Sequence, residues 1–207
     1  MRRRTSSKRG YTAVEVLVAM TLFAIGAAGV IGMQRTVIQG GNDARHFDVG
    51  SNIARMWLGR LQQDAMGWTL PNAANPGANN LATTRWINVL GVGNCAVNWC
   101  APPPSAIPPV SGAFDLWGRD LGPSGPATPH QFCAQYKVRF ISGNAANPLP
   151  GTLIKAEVRV LWSRIDRRPI ENCNAALLPP GDPDNPPTSF NYHSVYAATT
   201  LRPNTWQ

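Results

Sequence analysis

The chain has 207 residues, 43% of them hydrophobic and 14% charged, with a formal charge of +8. Five of the basic side chains lie in the first ten residues, and without them the charge falls to +3, with the remaining Lys and Arg scattered. No basic stripe interleaved with aromatics exists, which excludes a nucleic-acid footprint, and the length fits one anchoring helix plus one globular domain of about 140 residues.

The first element is a basic segment, Arg2, Arg3, Arg4, Lys8 and Arg9, running to Gly10. From Tyr11 to Met33 the chain is apolar for 23 residues with a single charge, Glu15, and the next charge is Arg35. As a helix this run is about 34 Å long, enough to cross a hydrocarbon core of about 30 Å. The basic cluster before it predicts a cytoplasmic N-terminus with the rest of the chain outside. A secretory signal peptide fits poorly, because its apolar region runs about 7 to 15 residues and ends at a small-residue cleavage site. A plain single-pass anchor fits the length but leaves Glu15 unexplained, since a carboxylate in a membrane segment costs about 2.5 to 3.5 kcal/mol at the centre and calls for a partner.

Basic leader, Gly10, aromatic Tyr11, Thr12, two apolar residues, Glu15 and then some twenty apolar residues resemble the signal of type IV prepilins and type II secretion pseudopilins. The resemblance implies cleavage after Gly10 by a prepilin peptidase, N-methylation of Tyr11, and assembly into a filament in which Glu15 pairs with the amino group of a neighbouring subunit's first residue. Tyr11 stands where Phe is commoner, and Gly32 where many pilins carry a helix-kinking Pro.

No Pro occurs between Tyr11 and Trp68, so the helix is expected to continue to residue 66, where Gly67 and Pro71 stop it. Ile53, Met56, Trp57 and Leu61 recur at helical spacing, giving an apolar stripe on which a sheet can pack, and Arg60 and Asp64 stand one turn apart as a candidate pair. Gly40-Gly41 is a weak point in this helix. Residues 69 to 84 read as a connecting loop, residues 85 to 90 as either a strand or a helical turn, and the segment from Pro102 to Pro109 as extended surface loop.

Alternation then marks strands at Tyr136–Phe140 and Ile154–Trp162, joined as an antiparallel hairpin by a long loop, and a last strand at Tyr192–Leu201. The predicted fold class is α+β, with a long N-terminal helix against an antiparallel sheet. Its domains are residues 1–10 as leader, 11–66 as helix (11–33 transmembrane, 34–66 amphipathic) and 67–207 as head. This order is similar to the pilin fold. The stretch Ala24-Ile25-Gly26-Ala27-Ala28-Gly29 and the closing Val195-Tyr196-Ala197-Ala198-Thr199-Thr200-Leu201-Arg202-Pro203 resemble the minor pilins called PilV.

Four cysteines beyond the apolar run suit an oxidising periplasm. Three pairings are open, and the favoured one joins Cys95 with Cys100 and Cys133 with Cys173. A zinc site is disfavoured because the spacing of Cys95 and Cys100 has no matching second pair. Asp182, Asp184 and Asn185 offer oxygens for calcium, but acids in a proline-rich turn are usually turn chemistry. His46, His130 and His193 sit in unrelated contexts and no catalytic motif occurs, so neither enzyme activity, cofactor nor metal is expected. Of the seven tryptophans, Trp57, Trp86 and Trp162 fall in patterned segments and read as core, while Trp68, Trp99, Trp117 and Trp206 lie near loops or ends.

The resemblance implies a minor pilin that primes assembly or sits in a tip complex, with prepilin peptidase, other minor pilins, the major pilin and a tip adhesin as partners. It would lie in the inner membrane before assembly and at the cell surface after it. A minor pseudopilin of a type II secretion system is the alternative, followed by a membrane-anchored periplasmic binding domain or enzyme.

Overall fold

The computed structural model describes residues 12–69, 80–92, 94–103, 105–106, 109–123, 129–143, 152–164, 170, 173 and 192–203. Its first element, α1, runs Ala13–Met66 as one uninterrupted helix. Thr21 Oγ1 donates to the Val18 carbonyl at 2.8 Å and Thr36 Oγ1 to the Gly32 carbonyl at 3.2 Å, so these hydroxyls are satisfied by their own helix without water. Gly40 and Gly41 lie within the helix, and a Cβ at either would meet nothing within 4 Å.

The chain divides into two compact units at Arg45/His46, within α1, so the last turns of the helix belong to the head. Those turns bury Gly50, Ile53, Ala54, Trp57, Leu61 and Ala65, one stripe at three- and four-residue spacing. The stripe joins a core built from one face of a four-stranded antiparallel sheet. In chain order the strands are β1 (Ser105–Ala106), β2 (Pro109–Val110), β3 (Ala113–Phe114), β4 (Phe132–Ser142), β5 (Leu153–Ser163) and β6 (Tyr192–Leu201). The sheet order is β3-β4-β5-β6, while β1 and β2 pair separately. Register places Tyr136 opposite Val158 and Val158 opposite Ala197, which carries the alternating apolar residues of all three long strands to one face. Gly50 lets the helix pack closely here, because a Cβ there would come 3.0 Å from the Trp162 ring and push it back by a few tenths of an ångström.

Residues 85 to 90 are turn leading into the short helix α2 (Val89–Val92). The proline segment differs from a pure loop, since Ser105 pairs with Val110 and Ala106 with Pro109 in a two-residue ladder away from the main sheet, where a proline costs no central hydrogen bond. Trp68, near a helix end in sequence, is fully buried, Trp57 and Trp86 meet edge to face at 5.2 Å, and Trp206 lies outside the described residues.

The expected Arg60–Asp64 pair does not form. Arg60 Nη1 instead donates to Asp120 Oδ2 at 3.1 Å, and the Asp64 carboxylate accepts the backbone N–H of Arg85 at 2.8 Å and those of Trp86 and Ile87 at 2.6 and 3.0 Å. Three converging amides offer a carboxylate more than one exposed guanidinium does. Asn80 closes the preceding loop onto the helix end, accepting from Thr69 N–H at 2.7 Å and donating to the Gly67 carbonyl at 2.7 Å.

Burial pushes the Tyr136 phenol above its ordinary value, with Asp64 adding to the shift. The unfolded chain therefore releases this proton first as pH rises past about 10, so the contribution is fully present below that pH and is lost above it. Tyr136→Phe should flatten the alkaline loss of stability, measured as urea midpoints between neutral and strongly alkaline pH; an unchanged slope would contradict it.

Candidate functional site: the amino-terminal assembly segment

The processing residues Gly10 and Tyr11 lie outside the described residues, and the description begins at Thr12. Thr12 caps α1: the Glu15 N–H reaches Thr12 Oγ1 at 3.3 Å and the Thr12 carbonyl at 3.0 Å, and Val16 N–H donates to the same carbonyl at 3.3 Å. Thr12-Ala13-Val14-Glu15 thus has the Thr-x-x-Glu spacing of a capping box, which places Glu15 in the first turn at the positive end of the helix dipole. Its side chain is exposed, and none of the ion pairs among the described residues includes it.

Around Glu15 and along the apolar run to Met33 the large apolar side chains of the helix are exposed. Val14, Leu17, Met20, Phe23 and Ile25 are exposed, Phe23 by 78%. The helix is long and apolar enough to cross a membrane, and none of its most apolar window is buried within the chain. A core helix of a soluble domain would bury that window; this one leaves it for lipid or for other helices.

The remaining sequence-derived candidates fall elsewhere. Disulfides join Cys95 to Cys100, with Cα atoms 5.5 Å apart, and Cys133 to Cys173, 5.3 Å apart. The first closes a short loop that presents exposed Val97 and lays Trp99 beside Tyr196, with the Arg159 guanidinium 4.5 Å from the Trp99 ring centre. The second sits in a small cluster with Ala113, Leu161 and Ile170, behind the main sheet face. Among the described residues Trp117 is the exposed tryptophan, 64% accessible on a turn whose Trp117 and Arg119 N–H groups both donate to Asp115 Oδ1 at 2.8 Å. Asp182, Asp184 and Asn185, the calcium candidates, lie outside the described residues.

The three histidines are not equivalent. His46 packs edge-on against Phe132 and His193 stacks on Trp162, whereas His130 faces both sulfurs of a disulfide. The signal for His130 was its place three residues before Cys133, a spacing that sequence reading passed over.

Residues 5–31 match the family described as the prokaryotic N-terminal methylation motif. No curated protein and no solved structure matches the chain. The matched segment spans part of the basic leader, Glu15 and most of the apolar run, and the helix it opens is followed by an antiparallel head. The motif supports a type IV pilin-like or pseudopilin protein, and the long helix followed by an antiparallel sheet is consistent with a pilin fold.

Proposed function

We propose that the protein is a minor pilin of a type IV pilus, of the PilV kind, cut after Gly10, methylated on Tyr11 and incorporated with other minor pilins into a complex that primes assembly or forms the tip. The carrying observation is the capped, wholly exposed apolar start of α1, whose one carboxylate has no ion-pair partner among the described residues. Such a segment gains stability by leaving lipid for other helices, and a neighbour's N-terminal amine supplies the charge that Glu15 lacks. The role is associative, without catalysis. N-terminus in, head out, is the proposed orientation, set by the basic residues before Gly10.

Mass spectrometry of the mature chain tests this directly. The expected N-terminus is Tyr11 carrying one methyl group, and Gly10→Ala should leave the chain at precursor mass. A chain that keeps its precursor mass in cells with active prepilin peptidase would overturn the reading. The same signal fits a minor pseudopilin, and a secretion defect with intact pili after deletion would select it.

A further inference from the structure

The back of the sheet holds a group of side chains that filament assembly does not use. His130 and Ile170 pair through both backbone directions, which sets Cys173 beside the start of β4. His130 Nε2 then lies 3.0 Å from Cys133 Sγ and 2.8 Å from Cys173 Sγ. His130 and Cys173 are each 1% exposed and Cys133 is 0% exposed. The three donor atoms lie within 4.8 Å of one another.

Two thiolate sulfurs and one imidazole nitrogen supply three of the four donors of a tetrahedral zinc site. We propose that, while Cys133 and Cys173 are thiols, His130, Cys133 and Cys173 bind one Zn2+, so that Cys133 and Cys173 are joined through a metal shared with His130 before oxidation and by a disulfide after it. A newly made chain carries thiols. From the oxidised state, a dithiol donates two electrons and two protons to the S–S bond, becoming a disulfide itself, and leaves two thiols. Zinc then displaces both thiol protons to solvent, the two thiolates cancel its charge, and His130 lends the Nε2 lone pair while its proton stays on Nδ1.

The geometry must open around the ion. Zn–S bonds of about 2.3 Å and Zn–N bonds of about 2.0 Å put sulfur and nitrogen about 3.5 Å apart, and the two sulfurs about 3.8 Å apart, in a tetrahedron. The two nitrogen–sulfur separations must widen by roughly 0.5 to 0.7 Å, and the sulfurs, now bonded to each other, must part by considerably more, which side-chain rotation allows once they are unlinked. Burial is what selects a structural ion over a thiol-exchange centre, because a reactive thiol must be reached from solvent. A water or a backbone carbonyl completes the fourth position, and the Gly112 carbonyl lies 3.4 Å from Cys173 Sγ. Cys95 and Cys100 form no such set with a histidine among the described residues.

The full-length chain in detergent micelles, reduced with a phosphine under anaerobic conditions and titrated with Co2+, provides the test. The expected result is one equivalent of tetrahedral Co2+ with a thiolate charge-transfer band, displaced by Zn2+ and absent from the oxidised chain. Zinc should also shield Cys133 and Cys173, and not Cys95 and Cys100, from alkylation read by peptide mass. Cys95→Ser with Cys100→Ser should keep the band, and His130→Asn should weaken binding by at least about tenfold. Absence of the band from the reduced chain, its full retention in His130→Asn, or its loss with Cys95 and Cys100 would each overturn the site. Far-ultraviolet circular dichroism of the reduced His130→Asn chain separates ligand loss from unfolding; if that variant is unfolded, the alkylation pattern of the unmutated chain decides alone.

Discussion

Replacing Asp64 by Ala is expected to lower the stability of the head by about 2 to 3 kcal/mol, the upper range for removing a charged acceptor from hydrogen bonds that are partly buried. The carboxylate receives three successive amides, those of Arg85, Trp86 and Ile87, and Trp86 and Ile87 are themselves core residues. Without it the three amides lose their acceptor, and the segment that seats Trp86 against Trp57 is no longer tied to α1. For a unit of this size the melting temperature should fall by roughly 10 °C, followed by near-ultraviolet circular dichroism of the full chain. Asp64→Asn keeps one acceptor oxygen and should lose less, while Arg60→Ala, at a partly exposed pair, should cost about 1 kcal/mol or less. An Asp64→Ala head as stable as the parent would show that water replaces the carboxylate without penalty.

Glu15→Val should leave insertion and cleavage intact and reduce the subunit in sheared filaments by at least about tenfold, equivalent to 1.4 kcal/mol of lost association. The argument is one of compensation. In lipid the carboxylate is costly, and in the proposed filament a neighbour's amine would remove that cost, so the charge would favour the assembled state over the dispersed one. Because Thr12 and Glu15 also have capping-box spacing, the substitution must separate charge from local helix structure. Glu15→Gln keeps the capping shape without the charge. If Glu15→Gln assembles like the parent while Glu15→Val does not, the residue acts as a helix cap; equal failure of both assigns the effect to charge. Normal incorporation of both would remove Glu15 from assembly altogether.

What could be read beforehand follows from periodicity. The end of α1 at Met66 and the bounds of β6 were legible because the chain has no proline before Trp68 and because Tyr192 to Leu201 is rich in β-branched and aromatic residues. The beginning of β4 was not. Phe132, Cys133, Ala134, Gln135 and Tyr136 are all buried, since the second cluster covers the back of the sheet there, and a strand covered on both faces does not alternate. β1, β2 and β3 have two residues each and carry no period at all. The partners of Asp64 were hidden for a related reason. Spacing on a helix surface nominates neighbours one turn away, but it cannot foresee a loop some twenty residues later that presents three amides. In the amino-terminal segment the methylation motif was legible because a basic leader and one acid among apolar residues stand out without any fold. The His130 cluster was hidden because Cys173 reaches it only through the pairing of His130 with Ile170.

The core of the head also imposes an order in time. Ile53, Trp57 and Leu61 are synthesised early, yet they share their cluster with Val195 and Leu201, which come last. Between these two ends β4, β5 and β6 follow one another as nearest neighbours, each able to pair with the strand made just before it. The sheet can therefore grow strand by strand while the helix waits, and only the arrival of β6 completes the wall against which α1 is packed. Truncation anywhere before residue 201 removes part of that wall, so a nascent or clipped chain keeps an open oily seam and becomes a client for chaperones or proteases instead of a subunit.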